Sequence, residues 1–565
     1  MEFSSKLSNS RDTGKSICTA LFITLLLSCM NMVQGCPMDM QRDPCSCFDP
    51  EWQSFDAVPG NHGFSKYGKP MIVHCNAAAN IEELRDSLRP LQRENTEILL
   101  LRIFQTDMKN LTAGMFEGMH VSRLSLRKNG LRIAEPTALS GTIQETLESL
   151  DLNDNDFEAI PIAALRGLKQ LRHLSLANNK IFSVSSNTFA SFASRDRLRS
   201  LDLSGNFIQQ LHPMATAALA RLEDLNLQRN NFMDVPLPAI QKHSSTLKNL
   251  DLALNYFSKM PRPGLQLPQL ISLSLEYNRI DSLPAWMFEG TPNLLYLYLR
   301  GNKLQRLDPK AFCNIRELQY LSLGDFGVKR LNAEMLQCLP DLSRLDVTDG
   351  SLENIEIGAL QKMPNLGSIN LRNNRITRID RSTFAGLVRL YSIDLSNNRL
   401  SRISNFAFSS LPSLRHLDIS RNELELLEPN TFDKSFQETT DGRSIYLCDN
   451  PWICDTKLNW FRRWLRENIE IVVDGPDCQA VCQEPPQLLN WPIRFLNPPP
   501  QHLGNIQPNF VPPKVEANEE LTEAEEQTEQ ATSRFEPHDS STLEVLTGTM
   551  PKPLKQLFNA ASSGK

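Results

Sequence analysis

The chain has 565 residues, a formal net charge of −6 at pH 7 and a sequence pI of about 5.9. This acidic balance argues against a nucleic-acid partner, because nucleic acids bind clustered basic surfaces. The length would ordinarily indicate several domains. A repeat array is the exception, since it grows in one dimension without a single large core.

The first 35 residues have the pattern of a secretory signal peptide. Basic residues such as Lys6 and Lys15 precede a mostly apolar run over 17–33, and Gly35 is small enough to end the peptide. The alternative is a membrane anchor, but the apolar run is shorter than the ~20 residues that a spanning helix needs. We therefore predict that residues 1–35 are a signal peptide and that the chain is secreted without a transmembrane anchor.

Ten of the twelve cysteines follow residue 35, in groups of four, two and four. In a secreted chain such groups predict disulfide bonds formed in an oxidising compartment. Zinc is the alternative, but no histidine lies at ligand spacing beside either group of four. Four thiols allow three pairings, so the connectivity stays open. The predicted disulfide cysteines are Cys36, Cys45, Cys47, Cys75, Cys313, Cys338, Cys448, Cys454, Cys478 and Cys482.

One template recurs along the chain, Leu-x-x-Leu-x-Leu-x-x-Asn-x-Leu. Its asparagine returns every 23–28 residues, most often after 24, and predicts a repeat array over residues 96–447 with about 15 repeats, the degenerate first and last copies included. The sequon Asn110-Leu111-Thr112 lies near its start and predicts a glycan on Asn110. The template asparagines are Asn129, Asn155, Asn179, Asn206, Asn230, Asn255, Asn278, Asn302, Asn374, Asn398, Asn422 and Asn450.

The template predicts an α/β solenoid with a parallel sheet. Alternation in Leu-x-Leu places both leucines on one side of a short strand, and stacked repeats cover the leucines of their neighbours. The asparagine can satisfy backbone groups at the turn after the strand. The opposite side needs more space per repeat, so the array bends with the sheet on its concave side. Aromatic residues there predict a second core row: Phe288, Phe312, Phe384, Phe408 and Phe432.

Two adjacent repeats lose the template asparagine, which Phe326 and Gly350 replace. In the same region Cys313 and Cys338 lie 25 residues apart, at nearly equivalent positions of neighbouring repeats. Neighbouring strands are ~4.8 Å apart, and a disulfide needs Cα atoms within about 7 Å. We predict a Cys313–Cys338 bridge; the alternative is two buried free thiols. Such departures from a repeat often mark function or strain.

Cysteine groups lie at both ends of the array, where a solenoid needs covers for its last leucines. We place an N-terminal cysteine-rich cap at 36–95 and a C-terminal cysteine-rich cap at 448–490. The latter opens Asn450-Pro451-Trp452-Ile453-Cys454 and continues with apolar residues at helical spacing from Leu458 to Leu465. The whole arrangement predicts an array closed at both ends.

With 24-residue repeats between cysteine-rich ends, residues 36 to about 490 resemble animal extracellular leucine-rich-repeat proteins of the repeat-only, invertebrate type. The resemblance implies a leucine-rich-repeat horseshoe with disulfide-capped ends, and roles in adhesion, matrix organisation, guidance or ligand sequestration. One departure is Thr456, where the family's C-terminal flank has a second cysteine. Cys448, just past the last strand, is the candidate for the missing partner.

Side chains that flank the central leucine of each strand point into the predicted concavity. Asp and Ser prevail between the two leucines, which is common in this family, so we predict no metal and no cofactor there. Tyrosines concentrate on three successive strands, and exposed aromatic residues are typical anchors of protein interfaces. The alternative is mutual stacking along the sheet. The predicted protein-binding patch is Tyr277, Tyr296, Tyr298, Tyr320, Ile271 and Leu295.

The last segment, residues 491–565, is rich in Pro and Glu and predicts a disordered tail, because it cannot bury enough apolar surface to offset its ordering entropy. The sequence has no Gly-rich phosphate loop and no nucleophile motif, so we predict no enzyme.

The sequence thus favours a secreted protein-binding scaffold in extracellular matrix organisation or cell adhesion. The alternative is a soluble signalling component, such as a guidance ligand, a growth-factor carrier or an immune recognition protein. The expected partners are extracellular proteins, a matrix component or a cell-surface receptor, and a homodimer is possible.

Overall fold

The computed structural model describes residues 44–48, 71–93, 97–432, 435–436, 442–475 and 478–495. The predicted signal peptide, Cys36 and nearly all of the predicted tail lie outside these residues. The chain divides into two compact units. The first comprises residues 1–352 and 358–366, and the second comprises 353–357 and 367–565.

The first unit is built on one sheet of short strands. Its first strand, Cys45–Phe48, runs antiparallel to Met71–Asn76, and each later pair of neighbours is parallel with equivalent residues side by side. The strands are Cys45–Phe48, Met71–Asn76, Glu97–Phe104, His120–Ser125, Ser149–Asp151, His173–Ser175, Ser200–Asp202, Asp224–Asn226, Asn249–Asp251, Ser272–Ser274, Tyr296–Tyr298, Tyr320–Ser322 and Arg344–Asp346.

Short helices and two-residue strands return the chain on the other side of the core. The helix Ile81–Arg93 is the longest in this unit, and its first turn carries Glu82 and Glu83, which favour the helix N-terminus. The remaining helical segments are Ile143–Thr146, Ile162–Leu165, Leu237–Ile240, the 3₁₀ turn Gln241–His243, and Ala333–Leu336. The minor strands are Asn110–Leu111, Ile133–Ala134, Ser282–Leu283, Arg306–Leu307 and Arg330–Leu331.

The second unit repeats this plan and ends in a helical cap. Its parallel strands are Ser368–Asn370, Ser392–Asp394, His416–Asp418, Ser444–Tyr446 and Val472–Val473. Its minor strands are Asn354–Ile355, Arg378–Ile379, Arg402–Ile403, Trp452–Ile453 and Cys482–Glu484. Its helices are Asn459–Glu467 and the 3₁₀ turns Thr456–Leu458, Pro486–Leu488 and Ile493–Phe495.

The core follows the predicted alternation. Leu294, Leu297 and Leu299 of one repeat are fully buried, because each strand rests its leucines against those of its neighbours. The predicted phenylalanine row is present within each unit. Its rings lie 6.2 Å apart for Phe288 and Phe312 in the first unit, and Phe384, Phe408 and Phe432 follow one another at 5.9 Å in the second.

The template asparagines form a hydrogen-bonded ladder, of which Asn278 is an example. Its Nδ2 donates to the carbonyl oxygens of Leu252 at 3.0 Å and Leu275 at 3.1 Å, and its Oδ1 accepts from the Phe257 amide at 3.1 Å. The side chain is 6% exposed. Each asparagine therefore ties the turn after its own strand to the backbone of the preceding repeat.

The two repeats without the asparagine depart from this ladder. Phe326 fills the asparagine position with a buried ring, so no side-chain amide bonds the backbone there. In the same region, Cys313 in the segment after Asn302 and Cys338 in the segment after Phe326 are joined by a disulfide with their Cα atoms 4.8 Å apart. A covalent link thus joins the Phe326 repeat, which lacks the asparagine, to the repeat before it.

Disulfides also lie in both caps. Cys45 pairs with Cys75, and Cys47 is disulfide-bonded as well. In the C-terminal cap Cys448 pairs with Cys478, and Cys454 pairs with Cys482, which settles the pairing that the sequence left open. Cys448 is thus the cysteine that substitutes for the absent one at position 456.

The capping helix Asn459–Glu467 closes the second unit with aromatic rings. Trp464 and Phe461 lie 4.9 and 5.8 Å from the ring of Phe432, the last member of the phenylalanine row. The Trp460 Nε1 donates to the Leu427 carbonyl at 2.9 Å. The predicted cover over the last repeat is therefore a cluster of aromatic rings, in which the Trp460 Nε1 has a hydrogen-bond partner.

The sheet and the C-terminal cap extend beyond the predicted boundaries. Met71–Asn76 already pairs with the first repeat strand, although it lies in the predicted N-terminal cap. At the other end Val472–Val473 adds a strand to the sheet. The tail was expected to begin at residue 491, but Ile493 is fully buried and its amide donates to the Ala480 carbonyl, so the cap continues to Phe495.

We expect Asn278→Ala to lower the free energy of unfolding by roughly 2–3 kcal/mol, because it leaves the buried Phe257 amide and two carbonyls without partners. Asn293→Ala, at an exposed position with one hydrogen bond to the Pro268 carbonyl, is the control and should change it by less than ~0.5 kcal/mol. Urea titration followed by circular dichroism measures both. Equal effects of the two substitutions would contradict the role assigned to the ladder.

Candidate functional site

The predicted tyrosine patch lies on the outer face of the sheet, which is the face opposite the leucine core. Tyr296 and Tyr298 flank the core residue Leu297 on one strand, and the next strand places Tyr320 beside Tyr296. Because strand side chains alternate, all three tyrosines are on the same face. The sequence therefore located the tyrosines on the correct strands.

The prediction that these tyrosines are exposed is wrong for two of them. Tyr298 is 1% exposed and Tyr320 is 6% exposed, and their ring centroids are 5.0 Å apart. The Tyr320 hydroxyl donates to Asp346 Oδ2 at 2.5 Å, and the Arg344 guanidinium lies 5.3 Å from the Tyr320 ring. This pair is therefore closer to the alternative of packing along the sheet, with the two rings tilted by 46° and not stacked face to face.

The other members of the patch are only partly covered. Tyr296, Tyr277, Ile271 and Leu295 are each half-buried. Ile271 and Leu295 precede their strands, and the Leu295 amide donates to the Ile271 carbonyl at 2.9 Å. The accessible part of the patch is therefore a rim of half-buried side chains around the buried Tyr298–Tyr320 pair.

The Arg300 side chain crosses the same face and ends in an ion pair with Asp349, and we call this feature the arginine strut. Arg300 extends over Gly324 and reaches Asp349, two repeats away, with 2.7 Å between Arg300 Nη2 and Asp349 Oδ2. A Cβ atom at Gly324 would collide with the Arg300 side chain, so glycine is required where the strut passes. Tyr277 stacks at 5.9 Å from the guanidinium, with its ring over Gly301. The strut therefore holds one positive and one negative side chain in place across three successive repeats.

Two carboxyl groups are buried beside this strut. Asp251 is 1% exposed and Glu276 is 4% exposed. Burial first, and then the charges of Asp251 and Asp346, raise the pKa of Glu276 from 4.5 to about 8 against the opposing effect of Arg300. Burial likewise raises the pKa of Asp251 to about 7, against the hydrogen bond from the Ala253 amide. Both carboxyl groups are therefore held away from water, which costs hydration free energy when they are ionised.

Burial also raises the pKa of the two tyrosine hydroxyls. Desolvation raises the pKa of Tyr298 and of Tyr320 well above the ordinary value, and the neighbouring carboxylates add to the effect. Both hydroxyls are therefore neutral, and that of Tyr320 donates to Asp346.

Sequence analysis missed Glu276 and Arg300, although it listed the neighbouring tyrosines. Both residues lie three positions after the middle of the strand triplet, a position that is uncharged in the five repeats before Glu276, for example Ala177 and Ala253. A reversal from glutamate to arginine at equivalent positions of adjacent repeats was the available signal. The glycine that follows in the next repeat, Gly324, was a second one.

A second feature of the outer face lies in the other unit. An open groove of about 420 Å³ is lined by residues that include Asp394, His416, Asp418 and Tyr446. The His416 Nδ1 and the Ser444 hydroxyl are 2.9 Å apart, and the Asp418 carboxylate accepts from Ser420. Burial raises the pKa of Asp418, and the charge of Asp394 adds to the rise.

The remaining predicted sites are also placed by the structure. Asn110 is exposed on a two-residue strand, and Thr112 of its sequon accepts a hydrogen bond from Arg85 at 2.9 Å. Among the described residues, one group of three metal-ligating types converges, namely Cys448, Asp449 and Cys478. Two of its members are joined in a disulfide and are not available as ligands. No helix of the described ranges has the length and apolar character needed to cross a membrane.

We expect Glu276→Gln to flatten the pH dependence of stability. Between the ordinary pKa of 4.5 and the folded value of about 8, the folded state holds more protons on Glu276 than the unfolded state does. The stability of the natural chain therefore falls as pH rises through this window, whereas a glutamine has no proton to lose. Above the window the variant should be more stable by a few kcal/mol, since one pKa unit corresponds to about 1.4 kcal/mol.

Thermal unfolding at pH 5 and pH 9 measures this difference, with Glu289→Gln at an exposed position as the matched control. The control should follow the natural chain at both pH values. If Glu276→Gln followed it too, the buried carboxyl would not be the source of the pH dependence.

Comparison with known proteins agrees with this architecture. The Leucine rich repeat family profile matches residues 145–194, 268–325, 340–400 and 388–435. Podocan from Mus musculus is 29% identical over 176 residues, which are 31% of this chain and 27% of podocan. Keratocan from Danio rerio is 30% identical over 170 residues, which are 30% of this chain and 47% of keratocan. The matches thus span less than half of either relative.

Solved structures resemble the chain over a greater length. A leucine-rich-repeat protein of Leptospira interrogans, 23% identical, aligns with 70% of this chain and 99% of its own with a TM-score of 0.52. The glycosylated Toll–Spatzle complex of Drosophila, 19% identical, aligns with 82% of this chain and 77% of the solved chain with a TM-score of 0.55. Together with the repeats themselves, these likenesses show that the chain has the leucine-rich-repeat fold.

Proposed function

We propose that the chain is a secreted protein-binding scaffold that acts in extracellular matrix organisation or cell adhesion. The observation that carries the proposal is the preorganised outer face of the first unit, where the Arg300 strut and the Tyr298–Tyr320 pair hold side chains in place. A surface whose side chains are already fixed loses little conformational entropy on binding, and rim aromatics supply contact area.

The disulfides support an extracellular location. Four bridges lie within the described residues, in both caps and between two repeats. Bonds of this kind form and persist in oxidising compartments and are rare in the cytosol. The capped and covalently linked array is therefore suited to a protein that works outside the cell.

The alternative function is a soluble signalling component. The resemblance to the Toll–Spatzle complex favours it, because that complex is a molecular hub in Drosophila development and innate immunity. The two candidates differ in where the chain resides. A matrix role predicts retention in the detergent-insoluble extracellular fraction, whereas a signalling role predicts a freely soluble species. Homodimerisation stays a prediction.

Binding to decellularised matrix from the source tissue tests the first proposal. We expect the secreted, tagged chain to bind saturably, and Tyr296→Ala combined with Arg344→Ala to weaken binding about tenfold. Tyr296 belongs to the rim of the patch, and the exposed Arg344 lies against the Tyr320 ring beside it. Lys303→Glu, at an exposed position after the ladder residue Asn302, is the control and should bind as the natural chain does. Absence of saturable binding would overturn the matrix role and favour the soluble one.

Glycosylation at Asn110 tests passage through the secretory pathway. We expect the secreted chain to gain electrophoretic mobility after digestion with peptide-N-glycosidase F, because Asn110 is exposed and lies in a sequon. Asn110→Gln should remove the shift, and Asn293→Gln, outside any sequon, should keep it. A secreted natural chain whose mobility is unchanged by the enzyme would contradict the predicted glycan.

A further inference from the structure

The outer face of the first unit contains buried oxygen atoms that lack partners. Asp251 Oδ2, the Tyr298 hydroxyl and the hydroxyls of Ser272 and Ser274 have no hydrogen-bond partner, and all four residues are at least 98% buried. A buried polar atom without a partner has lost its hydrogen bond to water and gained none in exchange, which is costly. Four such atoms in one place point to a ligand that satisfies them.

Strand register brings these atoms together. Asp251 and Ser274 are paired on neighbouring strands, and Ser274 is paired with Tyr298 on the next. Glu276 follows Ser274 by two residues, so its carboxyl group is on the same face. The carboxyls of Asp251 and Glu276 are close enough to affect each other and the Tyr298 hydroxyl electrostatically.

The positive groups nearby are already engaged. Arg300 pairs with Asp349 at 2.7 Å, and Arg344 pairs with Asp346 at 3.3 Å. Within the described ranges, neither Asp251 nor Glu276 forms an ion pair with a side chain. Two acidic groups are thus buried near each other, and the one cation that lowers the pKa of Glu276, Arg300, is itself paired with Asp349. Burying two carboxylates in this way is costly unless further positive charge is supplied.

We propose that Asp251, Ser274, Glu276 and Tyr298 form a binding site for Ca²⁺. Every available atom is an oxygen, and no histidine or cysteine contributes, which is the ligand set of calcium and not of zinc or copper. Two carboxylates balance the charge of a divalent ion. Calcium accepts six to eight oxygen ligands in flexible geometry, so water would supply the ligands beyond the four side chains. Mg²⁺ demands near-ideal octahedral geometry and dehydrates reluctantly, so this buried site discriminates against it.

The site explains why this part of the face departs from the repeats before it. At the middle position of the strand, Asp202 accepts hydrogen bonds from Ser175 and from the Ser204 amide, and its carboxylate is satisfied without an ion. Asp251 accepts the equivalent hydrogen bond, from the Ala253 amide, but its Oδ2 has no partner, and Tyr298 lies two strands away. The ion would therefore bridge three consecutive repeats across their outer face. The proposal is independent of what the scaffold binds.

The experiment uses the full secreted chain, stripped with EDTA and then titrated with CaCl₂ or MgCl₂. We expect Ca²⁺ to raise the melting temperature saturably by about 2–4 °C, with little response to Mg²⁺. Asp251→Asn and Glu276→Gln should each lose at least tenfold in Ca²⁺ affinity. Asp151→Asn is the matched control, because Asp151 occupies the same strand position and is also buried, but its carboxylate accepts from Ser125.

Terbium luminescence excited through tyrosine provides a second readout that does not depend on stability. Tb³⁺ bound beside Tyr298 should emit on excitation of the tyrosine band, and Ca²⁺ should quench the emission by competition. Melting in EDTA verifies that both amide variants are folded, so their loss of signal reports the site itself. The proposal is overturned if Ca²⁺ shifts neither readout, if Mg²⁺ acts equally, or if the Asp251→Asn and Glu276→Gln variants respond as the natural chain does.

Discussion

The buried asparagine of each repeat is the interaction on which the rest of the structure depends. A strand of three residues has too few ladder bonds to hold itself, and the turn that follows leaves backbone groups pointing into the core. The amide of Asn278, like that of its equivalents, satisfies carbonyls of its own repeat and of the one before. Because an unsatisfied buried carbonyl or amide is costly, the sheet, the leucine core and the phenylalanine row all require this bond.

Much of this architecture was predictable because it depends on periodicity. The spacing of leucines and asparagines places each strand, and the 24-residue interval places Phe384 above Phe408. The side chains on the outer face obey no such rule. Whether Tyr298 is exposed depends on the sizes of the side chains around it, such as Tyr320 on the next strand, and alternation gives only the face. The same limit applies to the cap, where Ile493 is buried by contacts with residues that no repeat pattern describes.

Whether a disulfide could be predicted also depends on whether the repeat period positions its cysteines. Cys313 and Cys338 occupy equivalent positions of adjacent repeats, so the repeat itself sets their separation. The pairing of Cys448 with Cys478 depends on the path of the chain through the C-terminal cap, which has no period. The carboxyl pair was missed for a related reason. Asp251 has the most ordinary residue type for its position, and only the loss of its usual hydroxyl partner and the presence of Glu276 make it unusual.

The glycine at position 324 has a consequence for how the array behaves as a polymer. In an ideal solenoid each repeat contacts only its neighbours, so stability is a sum of single-repeat and nearest-neighbour contributions. Arg300 passes over Gly324 to Asp349 and thus couples repeats that are not adjacent. The repeats from Tyr296 to Asp349 should therefore unfold as one cooperative block. Deleting or duplicating a repeat inside this block would break the coupling, whereas the same edit among the earlier repeats would only shorten or lengthen the array.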